Sequence, residues 1–182
     1  MSKFSPVISG GNTVDAVNTR AFLQQAVDHY PRLAAFSFTL VLPYSETLAD
    51  YHALILHFHT EVWQRTGEYS RQLQRARQNS PPTLLRWIWE VAGVPECKMV
   101  LLMNLDTLGA WRDEVVQQEM SGMLREAWRT VTGTDSNVTS MASFIISRTE
   151  GFSFSRQFSQ LQTRVNEMIS PVMTARTGVV CP

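Results

Sequence analysis

The sequence is poor in cysteine. It has two in 182 residues, and neither Cys97 nor Cys181 belongs to a Cys-x-x-Cys pair. A zinc or redox motif is therefore unsupported, and so is a disulfide framework. Neither charge is in excess: sixteen basic residues face sixteen acidic ones, for a formal net charge of zero. Such a balance argues against holding nucleic acid by broad phosphate neutralisation, although a local patch stays open. Lysine is almost missing, with only Lys3 and Lys98 beside fourteen arginines. Arginine favours planar, bidentate and ring-stacked contacts, but arginine-favouring codon usage is the simpler source of the skew. No apolar run reaches membrane-spanning length, and the first residues, Met1 to Pro6, hold no signal-peptide core. The expectation is a cytoplasmic protein with reduced thiols and no membrane partner. Glycine-rich phosphate loops and a Gly-x-Ser-x-Gly elbow are both absent. Tyrosine does not occur after Tyr69.

What is present is globular. Hydrophobic residues make up 44% and charged residues 18%, enough apolar content to build a core without staples. Residues 1–12 read as a flexible arm and 13–182 as a single domain. Thr13 can cap a helix running to about Tyr30, with Val17, Phe22, Leu23 and Val27 on its apolar side, and Pro31 ends it. In the next stretch Phe36, Phe38, Leu40 and Leu42 alternate with smaller residues, the signature of a strand over 34–42. Apolar residues then recur at helical spacing between Glu46 and about Arg77, with Gly67 a possible kink, up to the Asn79–Pro82 stop.

Two strands follow, 84–91 and 98–104, joined through Gly93 and Pro95 as a hairpin. A helix spans about 110–130, with Trp111, Val115, Met123, Leu124 and Trp128 as candidate core. Residues 138–147 read as a strand, and Ser155 to Ile169 as a last helix limited by Pro171. The middle of this order is β-α-β-β-α-β. It predicts an α+β fold: an antiparallel sheet with a split β-α-β core of ferredoxin-like or HUH type and helices mainly on one face.

Local chemistry is thin. His57 and His59 flank Phe58, with His52 nearby. Residues i and i+2 share a face on a strand, whereas in a helical pattern they diverge by about 200°. His52 and His59 share a helix face but stand seven residues apart. Packing and surface roles outweigh a metal here, and no metal or other cofactor is expected. Trp87 and Trp89 alternate on one strand face, while Trp111 and Trp128 fall in helical periodicity, so core packing outweighs base stacking. An enzyme with a new activity would draw on Glu90, Glu96, Asp106 or Cys97, but no spacing favours one.

The hairpin and its flanks carry a resemblance. Leu85-Arg86-Trp87-Ile88-Trp89, Pro95, Met99 to Asp106 and Leu108-Gly109 resemble the core of inovirus-type replication initiators. These group with the YagK/YfjJ C-terminal-domain proteins, and that family is similar to the HUH endonucleases that nick single-stranded DNA. Tyr30-Pro31-Arg32-Leu33 and the strand after it fit the same opening. The resemblance extends over 15–180 and is densest over 84–109.

The departures fall on the chemistry. The resemblance implies two histidines on one strand face holding a divalent metal, an acidic ligand, and a tyrosine nucleophile on the last helix. Those positions hold Glu96 and Lys98 around Cys97, Ala92, and Glu167. Glu96 and Lys98 would face the same way and could pair without an ion. The expectation is a non-catalytic HUH-like protein of mobile-element origin, a regulatory or interaction protein that binds a protein partner. A DNA-binding regulator that uses the ancestral face, with Arg86, Arg112, Arg125 and Arg129 lining a groove, is the alternative. Residual single-stranded DNA endonuclease activity ranks last. By alternation Trp87, Trp89, Cys97 and Met99 face the helices. Arg86, Glu90, Lys98, Asn104 and the following Asp106 form the candidate interaction face, whose mixed charge suits a protein better than a phosphate track.

Overall fold

A computed structural model describes residues 18–30, 32–43, 48–76, 84–90, 96–105, 113–133, 138–147, 151–168 and 170–177. Helix α1 covers 18–29. It is followed by β1 (Arg32–Val41), α2 (Leu48–Ala76), β2 (Leu84–Glu90), β3 (Glu96–Asn104), α3 (Asp113–Thr132), β4 (Val138–Ser147), α4 (Gly151–Asn166) and β5 (Pro171–Thr177). The strands form one five-stranded sheet in the order β4-β1-β3-β2-β5, with every neighbouring pair antiparallel. The first four strands in this order are those of a split β-α-β motif. The fold is thus the expected α+β architecture. The two hairpin strands are direct neighbours, with Trp87 opposite Leu101 and Trp89 opposite Met99.

Both faces of the sheet are covered. On one, Phe36, Phe38 and Leu40 of β1, Trp87 and Trp89 of β2, and Cys97, Met99 and Leu101 of β3 meet α2 and α3. Helix α2 presents Tyr51, Ile55, Phe58 and Val62, spaced four, three and four residues apart, which keeps them on one stripe. Helix α3 presents Val116, Met120, Leu124, Ala127 and Trp128. Phe58 is the hub, with its ring edge-on to Phe38, Trp87 and Trp128. Trp128 also donates its indole N–H to the carbonyl of Val41 at 3.3 Å, tying α3 to β1.

On the opposite face Leu33, Ala35, Ile88, Val100, Leu102 and Ile146 pack against Leu23, Ala26 and Val27 of α1 and Leu161 and Val165 of α4. The expectation of helices mainly on one face is not met: α2 and α3, the pair belonging to the split unit, cover one face only. The flanking helices cover the other face, because β1 and β3 carry apolar residues there too.

Several boundaries differ from the sequence reading. Gly67 lies inside an uninterrupted α2. Val115 is 40% exposed and Val116 takes its place in the core, since Met120 and Leu124 set the phase of the helix. Helix α4 starts at Gly151 and ends at Asn166, and Pro171 opens an additional strand. Proline is tolerated there because the first residue of an edge strand needs no ladder N–H. Gly133 caps α3 at φ 71°, its N–H donating to the Arg129 carbonyl at 2.8 Å, a left-handed position natural to glycine. The arm over 1–12, Thr13, Val17 and Trp111 lie outside the described residues. Among the described residues no helix is long and apolar enough to cross a membrane.

Candidate functional site: a polar cleft between the sheet and α4

Two of the residues singled out from the sequence meet in space. Lys98 on β3 and Glu167, just beyond α4, line one cleft of about 150 Å³ with Ser37, Phe38, Thr39, Ser140, Arg164 and Met168. Local structure explains how. Lys98 pairs with Thr39 across the β1–β3 ladder, so both stand on the α4 side of the sheet. Arg164 and Glu167 are three residues apart and so lie on one side of the chain at the end of α4.

Opposite Phe38, strand β4 carries a bulge. The register steps from Ser37–Ala142 to Thr39–Thr139, leaving Ser140 and Met141 facing one residue. Ser140 sits at φ 55°, a left-handed conformation costly for any residue with a Cβ. The bulge turns that end of β4 and brings Ser140 to the cleft. A wider groove of about 570 Å³ adjoins the cleft along β4 and α4, lined by Ala142, Phe144, Gln160, Thr163 and the shared Arg164 and Glu167. The Arg164 guanidinium stands 6.0 Å from the centre of the Phe144 ring.

The other expected residues are placed differently. Glu96 and Lys98 are both exposed at the start of β3, and among the described residues no ion pair joins them. Cys97 points the other way, into the α2–α3 core. Arg86, Glu90 and Asn104 do lie on the face that alternation assigns to them, but they are buried at 9%, 5% and 6% exposure. They cannot form the open interaction surface expected, because α1 and α4 cover that face. Of that set only Lys98 is exposed; Ala92 and Asp106 lie outside the described residues.

The buried polar residues divide into two kinds. Glu90 is held by chain atoms: its carboxylate accepts the Lys98 backbone N–H at 3.4 Å. Arg86 holds its guanidinium 5.8 Å from the Tyr30 ring centre, and its buried Nη1 has no hydrogen-bond partner among the described residues.

The histidines do not converge. His57 is exposed and His52 stands edge-on to Trp89 at 5.9 Å. His59 is buried, stacked on Trp87 at 4.0 Å with Nε2 3.4 Å from the Met99 sulfur. Among the described residues no three histidine, cysteine or acidic side chains come together as a metal site.

Cys97 is chemically quiet. Its thiol donates to the Glu90 carbonyl at 3.4 Å, and burial, reinforced by the Glu90 charge, pushes its pKa up to about 12 from an ordinary value near 9. The thiolate fraction at pH 8 is then about a thousandfold below that of a free thiol. Iodoacetamide labelling mapped by mass spectrometry should mark Cys97 only after unfolding; rapid labelling of the native chain would refute this. The pH dependence follows. Between pH 9 and 12 the unfolded chain releases the proton while the folded chain keeps it, so stability falls as pH rises, by up to about 4 kcal/mol from this group.

Sequence reasoning missed Arg164, Ser37, Thr39 and Ser140. The i, i+3 spacing of Arg164 and Glu167 was a usable signal, and the bulge was not.

Fold and cleft together define an α+β domain of split β-α-β type with a polar, mixed-charge cleft beneath its last helix. Residues 8–143 match the family described as Uncharacterised conserved protein UCP030791, and the chain belongs to that family. The match spans α1 to the middle of β4, so the strands of the cleft fall inside it and α4 outside. No curated protein and no solved structure matches the chain.

Proposed function

We propose that the chain is a non-catalytic, HUH-like interaction protein of mobile-element origin, acting in the cytoplasm by binding a protein partner at the polar cleft. The observation that carries this reading is the meeting of Lys98 and Glu167 in one cleft with Arg164. These are positions where the resembling initiators would hold a metal-binding histidine and the nucleophilic tyrosine. A lysine offers no lone pair to a metal while charged, and a carboxylate cannot perform tyrosyl attack on a phosphodiester with the same leaving-group chemistry.

What the cleft offers instead is recognition. Two cations, one carboxylate and the exposed hydroxyl of Ser140 suit the mixed donors and acceptors of a protein surface. A partner carboxylate could reach Lys98 and Arg164, and Glu167 offers an acceptor to a donor beside it.

A DNA-binding reading has one observation in its favour. Arg164 packed on Phe144 in the adjoining groove resembles an aromatic-and-arginine surface for single-stranded bases. The two readings separate by salt. Fluorescence anisotropy with a single-stranded oligonucleotide should show weak binding that vanishes by about 200 mM salt. Once a partner is isolated from the native host, Lys98→Glu should weaken its binding at least about tenfold with the fold unchanged by circular dichroism. Tight DNA binding at physiological salt, or a partner indifferent to Lys98→Glu, would defeat the proposal.

A further inference from the structure

The two outer strands of the sheet are guarded very differently. An edge strand presents unpaired N–H and C=O groups, and proteins blunt it with proline, charge or bulges. Strand β5 begins with Pro171 and carries Arg176. Strand β4 is ten residues long, Val-Thr-Ser-Met-Ala-Ser-Phe-Ile-Ile-Ser, with neither a charge nor a proline. Among the described residues β4 pairs only with β1, which leaves its outer edge without a neighbouring strand.

Burial along β4 has a centre. Met141 to Ile145 are all half-buried, whichever face they occupy, and this run of five is symmetric about Ser143. Thr139 and Ser140 before it are exposed, and the bulge with Ser140 at φ 55° ends the regular ladder there.

We propose that β4 is a self-association edge: two copies of the chain pair antiparallel through β4 about a two-fold axis at Ser143, joining their sheets into one. The register is set by the faces. Residues directly opposite in an antiparallel pair point the same way. An axis normal to the sheet at Ser143 sets Phe144 against Ala142 of the other copy, both on the α4 side, where Ala142 and Phe144 line the same groove. It sets Met141 against Ile145, both packed towards the α2–α3 core. Large therefore meets small, apolar meets apolar, and Ser143 meets itself. Self-pairing brings no like charges together, because the strand has none. The same axis keeps the two α4 faces side by side, so the two polar clefts open on one surface of the dimer. Pairing of five residues a side is short of a standard interface of about 1,600 Å², so association at about tens of micromolar is expected.

The experiment is sedimentation equilibrium of the full chain and three variants, with circular dichroism as the check on folding. The wild-type chain should approach twice its 20.6 kDa mass as concentration rises to about 500 µM. Ser143→Glu and Ser143→Lys should each weaken the dimer at least about tenfold, since each places like charges at the axis. Mixing the two in equal amounts should restore it as a heterodimer, which loss of folding could not produce. Arg176→Glu on β5 should leave it unchanged. A wild-type chain that stays monomeric, a dimer insensitive to Ser143, a mixture that stays monomeric, a dimer lost with Arg176→Glu, or open-ended association would each overturn the proposal.

Discussion

Urea denaturation of Phe58→Ala should show a loss of about 4 kcal/mol relative to the parent chain. Phe58 is fully buried, and its ring edges meet Phe38, Trp87 and Trp128 with centroids 6.0, 6.0 and 5.5 Å away. Truncation removes the transfer energy of the ring, leaves a cavity at the junction of α2, α3 and the sheet, and deletes three edge-to-face pairs. The surrounding groups are anchored and cannot collapse into the space: Trp128 is tied to Val41, and Trp87 lies between its strand neighbours and His59. Val115→Ala, on the exposed side of α3, should cost under about 0.5 kcal/mol. A Phe58→Ala loss below about 1.5 kcal/mol would mean that the two-helix core is not centred where the structure puts it.

Arg86→Met should move stability the other way, raising it by about 2 kcal/mol and the midpoint temperature by roughly 4–8 °C. Nη1 of the guanidinium is buried with no acceptor among the described residues, and the contact that the geometry does supply is the Tyr30 ring at 5.8 Å. A cation–π contact at that distance returns about 1–2 kcal/mol, less than the several kcal/mol needed to bury an ion without a counter-charge. Methionine keeps most of the aliphatic stem and removes the charge. Thermal unfolding followed by circular dichroism reads the difference directly. A destabilised Arg86→Met chain would show that the guanidinium has a compensating partner in the folded protein.

The arrangement of the sheet was legible because two physical periods dominate the chain. Phe36, Phe38 and Leu40 alternate at period two, as do Trp87 and Trp89, and all of them face α2 and α3. Those helices declare themselves through Tyr51, Ile55, Phe58 and Val62 and through Met123, Leu124 and Trp128. The second covered face was harder to read. Between the large residues of β1 stand Ala35, Ser37 and Thr39, small enough to pass for a solvent side, yet α1 and α4 bury them. The same cover explains Arg86, Glu90 and Asn104: alternation chose their face and carried no information about what lies over it.

Strand β5 was hidden by Pro171, which ends a helix and opens an edge strand with equal ease. At the cleft, Lys98 and Glu167 were singled out separately through the resemblance. Their meeting depends on how the end of α4 crosses β1 and β3, a long-range consequence with no local signature. Ser140's left-handed backbone is likewise a product of the β1–β4 register rather than of its own preference.

We propose that this HUH-like chain binds rather than nicks, and incubating the full chain with single-stranded DNA and Mg²⁺ or Mn²⁺, followed by denaturing electrophoresis with the DNA labelled, puts that proposal to the test. With Glu96, Lys98 and Glu167 at the positions in question, the DNA should stay uncut and no label should migrate with the protein. A metal-dependent covalent protein–DNA adduct that survives denaturation would contradict it.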